Sequence, residues 1–177
     1  MIELTSTCDP NESHELFYRA FSDTEGANEG LMIAELAGDL AKLLTDNSVS
    51  FFGFRGTNQC LVAGVFVSSL SNCNDIKARL LAPVATHPNF QGKGLARQLI
   101  EHTVNTLSNH TDLLVTYGDP NFYQRFGFTW LSVDIVKPPY PLQYSEGWLA
   151  INVTEKTDSE LTAQYGCIEP FRNPHFW

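Results

Sequence analysis

Pro83-Val-Ala-Thr-His-Pro-Asn-Phe-Gln91-Gly92-Lys93-Gly94-Leu95-Ala96-Arg97 runs from an apolar stretch through a glycine-containing turn into an amphipathic segment. Beyond the turn, Leu95, Ala96, Leu99, Ile100, Thr103, Val104 and Leu107 recur at helical spacing, with Arg97, Gln98, Glu101 and Asn105 between them, which predicts a helix over 93–107. N–H groups at a helix start lack intrahelical acceptors, the helix dipole favours negative charge there, and glycines let a diphosphate approach the main chain. The turn therefore reads as an anion site, with Lys93 and Arg97 adding positive charge. It is not a Walker A loop, because His87 and Gly94 stand where that loop needs Gly and Ser/Thr, and no Gly-x-Gly-x-x-Gly follows a strand.

Upstream, Ala78 to Thr86 reads as the strand that feeds the turn, with a bulge or splay expected at Pro83, which has no N–H for a ladder. Asp9-Pro10-Asn11-Glu12 is a helix start, with Asp9 as cap and Glu12 able to reach back; Leu16, Phe17, Ala20 and Phe21 then share one face. A second helix is predicted over 29–45 from the stripe Ile33, Leu36, Ala37, Leu40, Leu43, Leu44. Ser50 to Arg55 and Cys60 to Leu70, separated by Gly56-Thr57-Asn58-Gln59, read as a hairpin.

Downstream, Leu113 to Tyr117 is a short strand and Asn121 to Phe126 a short helix ended by Gly127. Phe128 to Val136 and Trp148 to Val153 read as late strands around the proline-rich 137–141 loop, and an aromatic tail closes at Phe176-Trp177. This order argues a single α/β (α+β) domain over 1–177, with a mixed, mostly antiparallel sheet splayed in the middle and about four flanking helices.

The chain has 177 residues, a net charge of −9 and 43% hydrophobic residues, which fits one packed domain and not a disordered chain. No Lys/Arg run supplies the basic footprint that nucleic-acid binding needs. Cys8, Cys60, Cys73 and Cys167 are scattered, with no Cys-x-x-Cys, so free thiols and no metal are expected. The start has no signal-like pattern and no apolar run approaches the ~20 residues of a membrane span, so a cytoplasmic location is the expectation.

Gln91-x-x-Gly94-x-Ala96 resembles the Gln/Arg-x-x-Gly-x-Gly/Ala signature of the GNAT superfamily, the acyl-CoA-dependent N-acyltransferases. Some thirty residues on, Asn121-Phe122-Tyr123-Gln124-Arg125-Phe126-Gly127-Phe128 resembles a second region of that superfamily, Asn-x-x-Phe-Tyr-x-x-x-Gly-Phe, compressed by Asn121 standing directly before the aromatic pair. Gly118-Asp119-Pro120 and the aromatic tail from Phe171 to Trp177 are similar to a subgroup whose members have varied substrates.

The resemblance implies acetyl-CoA as cosubstrate. The backbone of Val84, Ala85 and Thr86 would pair with the pantetheine arm, the N–H groups from Gln91 through Gly92, Lys93, Gly94, Leu95 and Ala96 to Arg97 would hold the pyrophosphate, and Asn121 would contact the CoA side of a V-shaped opening. Tyr123 would donate a proton to the departing CoA thiolate, and a phenol of reference pKa ~10 is protonated at neutral pH. A primary amine must lose a proton to attack; Glu35, Asp119 and His87 are candidate acceptors, none of them fixed by spacing, and water could serve instead. The two leading helices and the Lys137 to Tyr144 loop are expected to wall the acceptor site.

The implied activity is N-acetyl transfer to a small-molecule amine in a ternary complex, with a cationic amine weakly favoured by net charge. The alternative is a non-catalytic acyl-CoA-binding regulatory protein; a third reading, another diphosphate on the glycine turn, leaves Tyr123 unexplained. A membrane partner is not expected, and the sequence is silent on homodimerisation.

Overall fold

In a computed structural model, which describes residues 2–177, the elements in chain order are β1 (Glu3–Thr5), α1 (Pro10–Glu25), α2 (Ala27–Lys42), β2 (Val49–Arg55), β3 (Leu61–Leu70), β4 (Ala78–Thr86), α3 (Leu95–Leu107), β5 (Leu113–Tyr117), α4 (Pro120–Tyr123), β6 (Thr129–Trp130), β7 (Val136–Lys137), β8 (Trp148–Asn152), α5 (Asp158–Leu161) and β9 (Ala163–Gln164). The fold is mixed α/β, with a seven-stranded sheet in the order β1-β2-β3-β4-β5-β8-β6 and a two-stranded sheet β7-β9. Antiparallel pairing joins β1 to β2, β5 to β8 and β6 to β8, whereas β4 and β5 run parallel, so the mostly antiparallel expectation holds. The chain forms two compact units: residues up to Val67 with Pro83–Thr103, and Ser68–Ala82 with Val104–Trp177.

In the first unit, the start of α1 is fixed by the expected capping box: Asp9 Oδ1 accepts from Asn11 N at 2.8 Å and Glu12 Oε2 accepts from Asp9 N at 3.2 Å. Leu16, Phe17 and Ala20 are buried as the helical spacing requires, and Phe66 packs on Phe17 and Phe51 with ring centroids 5.6 and 4.9 Å apart. Ser13 is buried with them because its hydroxyl donates to Pro10 O and Ala37 O. The buried face of α2 is wider than its leucine stripe, since Gly30, Ala34, Gly38 and Ala41 also belong to it, and the helix stops at Lys42 rather than at 45.

Glu12 has a second role. Arg55 Nη1 and Nη2 reach its two carboxylate oxygens at 2.7 and 2.9 Å, and the same guanidinium donates to Gln59 O and Thr7 O. One bidentate pair thus ties the helix start to the end of β2, its hairpin turn and the N-terminal segment. The Arg55 hydrogen bond holds the Glu12 carboxyl below its ordinary range. Nearby, burial pushes the Cys8 thiol up to about 12, so this cysteine is inert; all four cysteines carry free thiols.

In the second unit, β5 is paired along its whole length with β8, from Leu113↔Asn152 to Tyr117↔Trp148. Asp112 pins the strand ends, accepting from Lys77 N and from the Thr154 hydroxyl at 2.9 Å each, and the Lys77 bond holds its carboxyl below the ordinary range. Trp148, Tyr165, Phe171 and Trp177 form an aromatic core whose indoles stay satisfied: Trp148 Nε1 donates to Val136 O at 2.9 Å and Trp177 Nε1 to Phe171 O at 3.0 Å. The ladder between β4 and β5 runs from Ala78↔Leu113 to Leu80↔Val115, and beyond it the Thr116 hydroxyl donates to Leu81 O at 2.9 Å. Here a side chain takes up a strand carbonyl two residues before Pro83.

Two expectations are corrected. The strand predicted over 128–136 is confined to Thr129–Trp130: Ser132 Oγ accepts from Asp134 N and Ser132 O from Ile135 N and Val136 N, so a turn takes the backbone bonds that a strand would need. Val136–Lys137 then pairs in parallel with Ala163–Gln164 in the second sheet. The helix predicted from Lys93 begins at Leu95, because Gly92 and Gly94 both take positive φ. Among the described residues five α-helices form, in keeping with the expected count of about four, and α5 carries a capping box at Thr157 and Glu160 that the sequence displays.

Both depressed carboxylates link stability to pH. Their stabilising share is present above the ordinary carboxylate pKa and is lost as pH falls through the depressed values. Glu12→Gln is therefore expected to lower the thermal midpoint at neutral pH and to converge on wild type only once pH has fallen below the depressed carboxyl value. A midpoint difference that stays constant down to acid pH contradicts the assigned role.

Candidate functional site

The turn after β4 is built from its own hydrogen bonds. His87 N donates to Val62 O at 2.9 Å, His87 Nδ1 accepts from Asn89 N at 3.2 Å, and Phe90 N returns to His87 O at 2.8 Å. Gln91 closes the loop twice, its main-chain N–H donating to Pro88 O at 3.2 Å and its Nε2 to Thr86 O at 3.2 Å. The motif glutamine thus clasps the end of β4, and its N–H is not free for a ligand.

The N–H groups of Gly92 to Arg97 have no acceptor among the described residues; the first intrahelical bond of α3 runs from Gln98 N to Gly94 O at 3.1 Å. Gly92 and Gly94 have φ of +71° and +76°, a region L side chains rarely adopt, and a Cβ on Gly92 would meet nothing within 4 Å. Six consecutive donors without an acceptor, leading into a 13-residue helix, are an arrangement that can receive an anion. The two cations serve it less than expected: Lys93 Nζ donates to Asn89 O and lies 4.7 Å from the Phe90 ring centroid, and Arg97 pairs with Glu101 at 2.8 Å. Along the end of β4, Val84 and Thr86 are half-buried and Ala85 is buried, and Thr86 Oγ1 is buried without a partner.

Tyr123 ends α4 in the second unit. Its ring packs edge-on against Phe122 and Phe128, at 5.0 and 5.6 Å. Gly118 lies directly beneath, so close that an added Cβ would come within 2.7 Å of Tyr123 Cε2. Burial pushes the phenol above its ordinary pKa, and a hydrogen bond with the Thr116 hydroxyl pulls the other way. Thr116 is fully buried and its hydroxyl donates to Leu81 O at 2.9 Å. Neither Thr116 nor Gly118 was marked by sequence spacing, although Gly118 belongs to the Gly-Asp-Pro run.

Of the candidate bases, Asp119 is the cap of α4, its Oδ1 accepting from Asn121 N at 2.9 Å and Asn121 Nδ2 at 3.2 Å. That contact also occupies the Asn121 side chain. His87 uses Nδ1 as the acceptor that starts its turn, and Glu35 is exposed on α2. Among the described residues no cluster of three or more His, Cys, Asp or Glu could hold a metal, and no helix is long and apolar enough to cross a membrane.

Residues 56–130, which include the turn, Thr116 and Tyr123, match the family of the acetyltransferase (GNAT) domain. Among curated proteins the chain is similar to the uncharacterized N-acetyltransferase YhbS of Escherichia coli K12, 32% identical over 90 residues, which are 50% of this chain and 52% of that protein. The chain thus aligns with about half the length of the curated relatives it matches. The crystal structure of E. coli YhbS in complex with CoA superposes with a TM-score of 0.79 at 22% identity, over 98% of this chain and 92% of that one. A GNAT family acetyltransferase from Brucella melitensis in complex with acetyl-CoA gives 0.70 at 15% identity, over 97% and 98%. The fold is that of GNAT proteins.

Proposed function

We propose that the protein is an N-acetyltransferase that moves the acetyl group of acetyl-CoA directly to a primary amine, the whole chain acting as one GNAT domain. The observation that carries this is the run of unpartnered N–H groups from Gly92 to Arg97, inside a segment that matches the acetyltransferase domain. That neighbours of the same fold were solved with CoA and acetyl-CoA supports the choice of diphosphate.

In this reading the 92–97 donors and the α3 dipole hold the pyrophosphate, the backbone of Val84 to Thr86 pairs with the pantetheine, and Gln91 shapes the turn instead of donating its N–H. Asn121 acts through Asp119 and α4. The neutral amine attacks the thioester carbonyl, the tetrahedral intermediate expels the CoA thiolate, and Tyr123 O–H protonates it. With three candidate bases engaged elsewhere or exposed, the amine's proton leaves to water. Thr116 can swing its hydroxyl from Leu81 O to the phenolate so formed.

Purified protein with acetyl-CoA and a panel of primary amines should release CoA thiol only when amine is present. Acetyl-CoA binding without amine-dependent release across the panel favours the regulatory alternative. Thr116→Val should lower kcat about three- to tenfold, the share of one net hydrogen bond, and move the alkaline limb of the kcat profile upward. Thr116→Ser should restore both. An unchanged limb removes Thr116 from the mechanism.

A further inference from the structure

We infer that Trp130 is a specificity-determining residue of the acceptor site, its indole face receiving the second, protonated nitrogen of a diamine-type substrate; this rests on the acetyltransferase reading. Two observations within the second unit place Trp130 on the side of the sheet that carries Tyr123. The register pairs Thr116 with Leu149 and Leu149 with Trp130, so the three form one cross-strand row, and paired residues project from the same face. Thr116 lies close enough to the Tyr123 phenol to pull its pKa down against the effect of burial. Independently, Phe128 packs its ring on Tyr123 at 5.6 Å, and Trp130 follows two residues later, where an extended chain returns to the same side.

Two strand spacings separate Thr116 from Trp130, about 10 Å between Cα atoms. Between them Leu149 is fully buried, whereas Trp130 is 60% exposed, and no ring or cation of the chain stacks on it among the described residues. The other two tryptophans, Trp148 and Trp177, are 0% and 1% exposed and use their N–H groups internally. A large indole left open on an edge strand, on the face of the proton donor, is a recognition surface and not core.

The chemistry selects the ligand. The nitrogen that attacks the thioester must be neutral, so only a second nitrogen, some methylenes away, keeps its proton at pH 7. Indole is the best aromatic partner for such a cation, and a chain of net charge −9 draws cations toward it.

The test compares 1,5-diaminopentane with n-pentylamine, which differ by the remote ammonium. Trp130→Ala should raise KM for the diamine about five- to tenfold more than for the monoamine, mainly in KM and not in kcat, with Trp130→Phe in between. Because the other two indoles are buried, acrylamide quenching of tryptophan emission reports Trp130, and 1,5-diaminopentane should shield it where n-pentylamine does not. Equal KM changes for both amines, or no selective shielding, overturn the proposal. If acetyl-CoA neither binds nor turns over, the acetyltransferase reading falls by that result, and selective shielding measured without acyl donor still upholds or overturns the assignment to Trp130.

Discussion

Tyr123→Phe should lower kcat by about 100-fold or more while leaving the Kd for acetyl-CoA within about twofold, because the variant removes one hydroxyl that, in the proposed mechanism, acts only as the thiolate departs. The surroundings support a clean experiment. The Tyr123 ring is held by Phe122, Phe128 and Gly118, contacts that phenylalanine keeps. Burial raises the phenol's pKa, so the group is fully protonated at neutral pH. The thiolate of a thiol of pKa about 8.5 is a weaker base in water than a phenolate, so the transfer is not driven by bulk acidities. In the proposed mechanism it is driven by desolvation, which raises the proton affinity of the emerging thiolate when bound substrate excludes water. Stopped-flow thiol release with saturating amine measures the effect. A loss confined to KM, or no loss, removes Tyr123 from proton transfer.

How much of this was legible beforehand varies with the range of the interaction. The start of α1 was readable because Asp9, Pro10 and Glu12 settle it among themselves, and the structure shows the capping box closed. The glycine turn before α3 was readable for the same reason, since two glycines and a helix start lie within a few residues. The 128–136 strand was misread because apolar alternation continued through Ser132 and Asp134, while a local turn captured the backbone there. Thr116 was invisible: nothing in Leu113 to Tyr117 says that a threonine hydroxyl meets Leu81 O, 35 residues away. The double use of Glu12 needed Arg55, 43 residues on. The Gln91 N–H, read as one of the turn's outward donors, is turned inward to Pro88 O at 3.2 Å.

Gly94→Val should weaken acetyl-CoA binding by about tenfold or more. Gly94 holds φ at +76° at the junction between turn and helix, and its carbonyl accepts the first bond of α3 from Gln98 N. A β-branched residue in the left-handed region costs on the order of 1–2 kcal/mol, which the turn relieves by rotating the donors before α3 out of line. A shift of about 1.4 kcal/mol is tenfold in Kd, and several donors share the geometry. Gly94→Ala should lie between wild type and valine, because an alanine tolerates positive φ less badly. An unchanged far-UV spectrum and a thermal midpoint within a few degrees of wild type would show that the loss is local. Valine binding acetyl-CoA as tightly as wild type would mean that the donors of Gly92 to Arg97 do not hold the diphosphate.

Calorimetric titration of the purified protein with acetyl-CoA, with free CoA and ADP as comparison ligands, tests the central claim most directly. The account predicts saturable one-site binding of acetyl-CoA and CoA, with ADP clearly weaker because it reaches the diphosphate turn without the pantetheine that pairs with Val84 to Thr86. ADP binding as tightly as CoA would leave a diphosphate site and remove the pantetheine groove. Absence of acetyl-CoA binding would contradict the account at its base, taking with it the cosubstrate, the role of Tyr123 and the acetyltransferase function.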